Sequence, residues 1–479
     1  MLTRELKVLG GLFEARAPIL LAKSQDDVIT AFERAERSGH RLAIAGAKRS
    51  FGEHYLPSAG DVVLDVEELD RGATLLSEEA DGSLWVRAGG GTTFRDLRKL
   101  FPGHRTYCPP TADTISLAGA LATCTHSSGG YFADSVRAFS VLGPSGVVLR
   151  CTRGAPGLAG RLYEAVPGSL GALGVTTDIE LRLTPIDPEQ IVLVHALYAG
   201  RSDSGAYLGY LEQASDDPRY GEGSGAVVYG NRGHAIVFGD ELLPPGQKFK
   251  GPQALLTDDN IGQQALTQAL VNRAPRLAEW LVSRAYTQGI ARWAPWYGFQ
   301  FFQRSFDEAH RRMAAGGPGA RALRLLGVRD RMPFCHTAWF FPRAEMRAFA
   351  DCYFDVLGRY PGLERRAEQQ DFVLLRPCNW PSHSMGRTEG GIGVLTASFQ
   401  VDRGGESERR TSEFFREVTA ESARYAPGAR VSLCKQIHAR PEDLRSMHAD
   451  FARSMRSLRQ EVDPKGILSS RLLQALGVT

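Results

Sequence analysis

A stretch of small side chains offers the clearest chemical signal in this sequence. It reads ISLAGALATCTHSSGG over residues 115–130 and contains one histidine, His126. Glycine and small hydroxyl side chains let a backbone approach a charged group closely, with its N–H groups free to donate to oxygens. A nucleotide cofactor with a diphosphate is therefore one natural ligand. A tight helix crossing needs the same small residues, so this segment alone leaves both interpretations open.

Two further runs carry the same signal. Residues 41–45, RLAIA, predict a strand that leads directly into GAKRSFG at residues 46–52. Backbone N–H groups of such a loop suit phosphate oxygens, and Lys48 or Arg49 would add positive charge. The loop is neither a Walker loop nor GxGxxG, and a basic surface turn is an equally simple interpretation. The third run is VPGSLGALGV at residues 166–175, a glycine-spaced turn before a strand.

Regular elements must position these runs. Ser24 and the apolar spacing after it predict a helix over residues 25–38. The first 187 residues then alternate short strands with turns, including a hairpin around residues 143–146. Residues 191–425 favour antiparallel strands with helices between them, two of these helices at residues 263–274 and 275–285. After a helix over 408–425, the alternation at residues 429–435 predicts a strand that ends at Lys435.

Composition excludes several classes of function. The chain has 479 residues and a net charge of +3, which implies no general attraction to nucleic acid or to a membrane surface. It shows no signal peptide and no apolar run long enough to span a bilayer, so we expect a cytoplasmic protein. Seven scattered cysteines form no CxxC pair and no metal-ligand spacing, so we expect neither a disulfide framework nor a metal site.

The three runs occur in the order and approximate spacing of the FAD domain of the vanillyl-alcohol oxidase superfamily. The chain most resembles its aldonolactone and alditol oxidase branch, and residues 49–52 with 428–435 resemble decaprenylphosphoryl-ribose oxidases. The tail VDPKGILSS at residues 462–470 is similar to the segment that closes that domain. The resemblance implies an α+β fold. A PCMH-type two-part FAD-binding domain (1–187) would carry a cap with an antiparallel sheet and flanking helices (188–427), and residues 428–479 would return to the FAD domain.

The resemblance also assigns cofactor-binding positions. They comprise the loop after the first strand, the small-residue run with the turn before it, and the third run, which would meet the adenine and ribose end. Residue by residue, they are Ala45, Gly46, Ala47, Lys48, Arg49, Ser50, Phe51, Pro110, Thr111, Ser116, Ala118, Gly119, Ala122, Thr123, His126, Ser127, Ser128, Gly174 and Val175.

The mode of flavin attachment follows from one position. Many members bind the flavin covalently through a histidine two residues before the position of Phe51, and this chain has Arg49 there. Some members form a cysteinyl bond near the position of Cys108, but its spacing to Gly119 is too long. We therefore expect FAD to be held non-covalently.

Lys435 and His126 are the catalytic candidates. A lysine that ends a strand is normally a solvated surface residue, but this chain has only eight lysines, and Lys435 matches a family lysine beside the flavin. Its ammonium would stabilise negative charge on the reduced ring, or, with a lowered pKa, it would act as a base. The cap offers polar candidates for substrate contact, which are Arg376, His336, Asn379 and Gln400.

These observations predict a flavoenzyme that oxidises an alcohol on a sugar, polyol or glycosylated natural product by hydride transfer to flavin N5. Its partners would be a small-molecule substrate and O2 or another electron acceptor, in a monomer or homodimer. Two alternatives stay open: a dehydrogenase or oxidative cyclase of secondary metabolism that does not use O2, and a flavin-binding protein without catalysis.

Overall fold

The computed structural model of the chain describes nearly all of its N-terminal third, parts of its middle and most of its C-terminal third. The described residues are 2–8, 12–106, 113–127, 130–185, 192–201, 204–217, 225–229, 234–242, 254–255, 292–293, 334–375 and 390–478. Over these ranges helices combine with largely antiparallel sheets, which confirms the predicted α+β class.

The first sheet has four strands in the order β1-β2-β4-β3, with β4 parallel to both of its neighbours. The predicted helix is present: Ser24 and Asp27 form a capping box at its start, and Gly39 in the left-handed conformation ends it. The helix buries an apolar stripe against the sheet. The elements are β1 Leu2–Lys7, β2 Glu14–Leu21, α1 Gln25–Ser38, β3 Leu42–Ala45 and β4 Val62–Asp65.

The second sheet is antiparallel, in the order β11-β10-β12-β6-β5, with β7 paired to β12. The predicted hairpin is present as β10 and β11 around residues 143–146. The elements in chain order are β5 Ala73–Glu78, β6 Leu84–Gly89, α2 Phe94–Leu100, β7 His104–Thr106, α3 Leu117–Ala122, β8 His126–Ser127, β9 Gly130–Tyr131, β10 Val136–Leu142, β11 Val148–Thr152, α4 Gly157–Ala165 and β12 Val175–Pro185.

The third sheet has seven antiparallel strands in the order β13-β15-β14-β19-β20-β18-β21. Helices cover one of its faces, where Trp339 contacts Phe349 and Phe415. The elements are β13 Val192–Arg201, α5 Ser204–Asp216, β14 Gly225–Tyr229, β15 His234–Leu242, the pair β16 Ala254–Leu255 and β17 Arg292–Trp293, β18 Phe334–Pro342, α6 Met346–Gly358, β19 Ala367–Leu375, β20 Ile392–Gln400, α7 Glu406–Tyr425 and β21 Arg430–Val431.

The C-terminal segment forms the helices α8 Pro441–Met447 and α9 Ala449–Val462 and then returns to the first sheet. The short helix α10 Arg471–Ala475 comes after this return. The N–H of Leu42 donates to Ile467 at 2.8 Å and the N–H of Ser469 donates to Leu42 at 2.9 Å, so the tail lines the free edge of β3. Buried Asp463 accepts from the N–H groups of Ile467 and Leu468 and fixes this turn.

Two sequence predictions have other outcomes. The strand predicted at residues 429–435 is wrong in extent, because only Arg430–Val431 pairs as a strand and Lys435 lies in a turn beyond it. The helices predicted at 263–274 and 275–285 lie outside the described residues. Among the helices that the structure describes, none is long and apolar enough to cross a membrane.

Candidate functional site

The loop after β3 presents a row of free backbone donors. In the part of the chain that the structure describes, no backbone N–H from Gly46 to Phe51 donates a hydrogen bond. Ala45 ends β3, and its carbonyl accepts from the N–H of Val66 at 2.8 Å, so the start of the loop is fixed. Successive unpaired N–H groups on a fixed turn form a concave binding site for an anion.

The two basic side chains of this loop have different roles in the structure. The Lys48 ammonium lies 2.9 Å from Asp65 and 2.6 Å from Glu67, and its backbone is left-handed, with a φ of 56°. Its charge is therefore compensated within the protein. The buried Nε of Arg49 has no hydrogen-bond partner among the described residues. Positive charge for a bound phosphate at this loop would accordingly come from Arg49 rather than Lys48.

The three runs of small residues meet in space. Gly46 and Gly119 both lie against Ser116, since a Cβ at either glycine would be 2.8 or 2.9 Å from the Ser116 hydroxyl. The third run joins the second, because the N–H of Leu170 donates to Ala122 at 2.8 Å. The first and second runs therefore form one wall, and the third run is hydrogen-bonded to the second run.

The remaining small residues of the predicted cofactor set lie in the same region. Ala47 is buried, and Ala118 packs near Gly90. The Thr123 hydroxyl donates to the carbonyl of Gly119 at 2.8 Å. Gly174 has a φ of 130° and presses on β10, where a Cβ would lie 2.8 Å from the Leu142 carbonyl, and Val175 is buried as the first residue of β12. Packing alone therefore explains glycine at position 174.

His126 lies at the end of the second run, in β8. Its Nδ1–H donates to the carbonyl of Cys124 at 3.3 Å, and its ring meets Phe340 edge to face, with the centroids 5.1 Å apart. Burial, and then the positive charge of Lys435, lowers the pKa of His126 to about 4. The imidazole is therefore neutral at physiological pH.

The face of the third sheet that the helices do not cover contacts the first and second runs. Side chains alternate along β18: Phe334 and His336 contact Phe51, and Phe340 contacts His126. The intervening residues face the helices instead. Strand β18 thus borders the site and contacts both the first loop and the second run.

His336 is the most constrained polar group on this face. It is buried, its Nδ1 is hydrogen-bonded to the Ser398 hydroxyl on β20, and its ring centroid lies 4.0 Å from that of Phe51. Its buried Nε2 has no hydrogen-bond partner among the described residues. Burial, and then the charge of Lys435, keeps the pKa of His336 well below its usual value, so this ring is also neutral.

Lys435 faces the same space from the returning segment. Its Nζ lies 4.9 Å from the centre of the Phe51 ring, and within the described ranges no carboxylate pairs with it. Burial lowers the pKa of Lys435 to about 8. The segment is held close to the first loop, since the Ser50 hydroxyl donates to the Cys434 carbonyl at 2.8 Å and Gly52 has its Cα against Lys435.

The remaining predicted residues lie at the border of this geometry or outside the described part of the chain. Gln400 ends β20 opposite Phe334, which contacts Phe51. The backbone of Ser127 lies in β8. Five others, Pro110, Thr111, Ser128, Arg376 and Asn379, lie outside the described residues.

Sequence reasoning missed two residues that the geometry brings into the site. Ser398 orients His336, and Gln436 bonds the backbone of β18 next to Lys435. The alternation along β20 could have indicated Ser398, but no local pattern points to Gln436. Over the described ranges, no group of three or more potential metal ligands occurs.

A comparison with protein families matches residues 17–152 to a family model described as an FAD binding domain. The match includes the first loop and the small-residue run with His126. It ends before the third sheet and before Lys435. No curated protein matches the chain.

The described residues fit an FAD molecule. The free N–H groups of residues 46–51 suit the diphosphate, and glycines at 46 and 119 keep that wall free of side chains. Among the described residues, the ammonium of Lys435 has no carboxylate partner, and it lies with the neutral rings of His126 and His336 where that wall meets the third sheet.

Proposed function

The chain belongs, through its FAD-binding domain, to the PCMH-type or vanillyl-alcohol oxidase superfamily, whose members are generally flavin-dependent oxidoreductases, and we propose that it oxidises an alcohol to a carbonyl compound. The substrate class is a sugar, a polyol or a glycosylated natural product. The electrons pass finally to O2 or to another acceptor.

FAD, when bound, supplies the hydride acceptor at N5 and leaves negative charge at N1 and the C2 carbonyl. The loop at residues 46–51 would hold the diphosphate with its N–H groups, assisted by Arg49. Ser116 and Gly119 would let the backbone of the second run lie along the cofactor. With Arg49 at the position of the family's histidine, the attachment would be non-covalent.

Lys435 would stabilise the negative charge that develops during the reaction. A cation in a site with little water interacts strongly with such charge. Its ammonium faces the Phe51 ring and has no carboxylate partner in the described part of the chain, so its charge is not already compensated. This contrast with Lys48, whose charge is matched by two carboxylates, is the observation that carries the proposal.

The cap would bind and orient the substrate. The buried Nε2 of His336 has no partner in the described part of the chain and lies beside Phe51, which suits a hydrogen bond to a substrate hydroxyl. Gln400 lies on the neighbouring strand at the same end of the sheet. Arg376 and Asn379 remain proposed substrate contacts. Residues 1–187 and 428–479 would form the FAD part and residues 188–427 the cap, in a monomer or homodimer.

The proposal is tested by anaerobic mixing of the purified yellow protein with a panel of aldoses, alditols, aldonolactones and glycosides. One class is expected to bleach the visible flavin absorbance, and the carbonyl product should appear in an amount equal to the flavin reduced. A panel that leaves the absorbance unchanged, while dithionite bleaches it, would contradict alcohol oxidation on these substrates. Hydrogen peroxide formed on aerobic turnover identifies O2 as the acceptor.

A further inference from the structure

The returning segment leaves the ladder of β18 at the point where it reaches the site. Val431 pairs with Trp339, and the N–H of Ser432 donates to Ala338 at 2.8 Å, as in a regular antiparallel strand. Beyond it the N–H of Lys435 donates to the Ser432 carbonyl at 3.3 Å, and the next bond to β18 runs from the N–H of Gln436 to the carbonyl of His336 at 3.0 Å. Three residues, 433–435, therefore stand opposite the single residue Thr337. They form a bulge that contains Lys435 at its end.

The Gln436 side chain supplies the bonds that the bulge removes from the ladder. Its Oε1 accepts from the N–H of His336 at 2.8 Å, and its Nε2 donates to the carbonyl of Phe334 at 3.1 Å. The residue is completely buried. With its own N–H on the carbonyl of His336, it makes three hydrogen bonds to β18 within three residues. A buried amide with both ends paired in this way is geometrically fixed.

The bulge is fixed on its other sides as well. The Cys434 carbonyl, which faces away from the ladder, accepts from the Ser50 hydroxyl, and the Cys434 thiol lies 3.2 Å from the carbonyl of Thr123. A Cβ at Gly52 would be 2.9 Å from the Lys435 carbonyl, so the first loop packs directly on the bulge. Residues 434–436 thus contact three segments, which are strand β18, the first loop and the second run.

We propose that Gln436 is a positioning residue, whose amide keeps Lys435 out of the sheet and directs its ammonium to Phe51 while it holds the backbone of His336, whose ring contacts the same Phe51. This inference rests on the proposed role of Lys435. A regular strand through residue 436 would pair these residues with β18 and leave no bulge. A side chain with one donor and one acceptor is needed, because His336 offers an N–H and Phe334 offers a carbonyl.

The test measures the pKa of Lys435 directly. The variant Gln436→Met keeps the length of the side chain and removes both hydrogen bonds. The matched control is Gln474→Met in α10, which removes a partly buried amide that donates to the Ser469 hydroxyl and makes no bond to β18. Trace acetylation with labelled acetic anhydride over a range of pH, read by peptide mass spectrometry, gives the pKa of each of the eight lysines. All samples carry equal amounts of FAD.

The pKa of Lys435 should rise by about one unit or more in Gln436→Met, toward the value of a solvated lysine, and stay unchanged in Gln474→Met. An unchanged Lys435 pKa in a folded Gln436→Met protein overturns the proposal. Where circular dichroism shows that this variant does not fold, Gln436→Asn decides in the same way, since its amide is one methylene too short to bond both groups of β18.

The outcome is separable from that of the proposed function. A raised Lys435 pKa in the Gln436 variant supports the positioning role whatever the reaction is. If Lys435→Met then leaves flavin reduction unchanged, the proposed catalytic role of Lys435 fails while the positioning of its side chain stands.

Discussion

The ammonium of Lys435 lies 4.9 Å from the centre of the Phe51 ring. These residues come from opposite ends of the chain, one from the loop after the first parallel strand and the other from the segment that returns from the cap. Their contact brings together the FAD-binding domain, the cap sheet and the one lysine whose pKa burial lowers among the described residues.

The contact between the first two small-residue runs is testable by a pair of substitutions. Gly46→Ala places a methyl group 2.8 Å from the Ser116 hydroxyl, an overpacked contact that costs about 1–3 kcal/mol. Relief of this contact must move the loop whose N–H groups would hold the diphosphate, so the dissociation constant for FAD should rise by about tenfold or more. Ser116→Ala in the same chain removes the clashing oxygen and should restore most of the affinity. Titration of the apoprotein with FAD by fluorescence measures both, and failure of the second substitution to rescue the first would show that the runs do not meet in this way.

The mode of cofactor attachment is testable without a substrate. Because Arg49 cannot form the histidyl bond, precipitation of the purified protein with acid should leave a colourless pellet and a yellow supernatant whose flavin is FAD. A yellow pellet would show a covalent bond and would direct attention to Cys108, which lies outside the described residues.

The charge state of Lys435 predicts the pH dependence of flavin reduction. Its pKa of about 8 means that it is charged below this pH and neutral above it. If the ammonium stabilises developing negative charge, the anaerobic reduction rate should fall as pH rises through about 8, and Lys435→Arg, which stays charged, should remove this fall. A rate that instead rises through the same range would assign Lys435 as the base.

Buried histidines predict a loss of stability in acid. Burial lowers the pKa of His54 to about 4 and that of His448 to about 3, so the unfolded chain, with histidine near 6.5, binds more protons than the folded chain between these values. Stability should therefore fall as pH decreases below 6.5, by up to about 1.4 kcal/mol per pH unit for each group.

His54→Phe tests this directly. The buried Nδ1 of His54 has no partner among the described residues, so the substitution loses no hydrogen bond there. The decline of unfolding free energy with acid should become shallower by about 1.4 kcal/mol per pH unit, measured by urea denaturation. His40→Phe, at an exposed position, is the control and should leave the slope unchanged. Equal slopes in the two variants would contradict the assignment.

The local patterns of the sequence were sufficient for much of the fold. Apolar spacing and the Ser24 cap predict α1, and the antiparallel strands predicted between residues 191 and 425 are present in the third sheet. The strand predicted through Lys435 failed for a physical reason. Its ladder stops where the N–H of Lys435 donates to the Ser432 carbonyl in a turn, and the Gln436 side chain then bonds a strand one hundred residues earlier, a contact that no local pattern encodes.

The charges of the site show the same limit. Lys48 and Arg49 are neighbours in the sequence and both carry positive charge, and only the folded chain distinguishes their roles. Asp65 and Glu67, at the end of the neighbouring parallel strand, pair with Lys48. The scarcity of lysine in the chain and the resemblance to the family single out Lys435. Its position over Phe51 depends on contacts among three distant segments.

The most direct test of the account compares the two-electron reduction potential of bound FAD in Lys435→Met and Lys465→Met, measured by equilibration with reference dyes. Lys465 is an exposed lysine paired with Glu36, so its loss controls for a change in net charge. With Lys435 beside the reduced ring, Lys435→Met should retain FAD and lower the potential by about 30 mV or more, the equivalent of about 1.4 kcal/mol, while Lys465→Met leaves it unchanged. Equal potentials in the two variants would contradict the placement of Lys435 at the flavin.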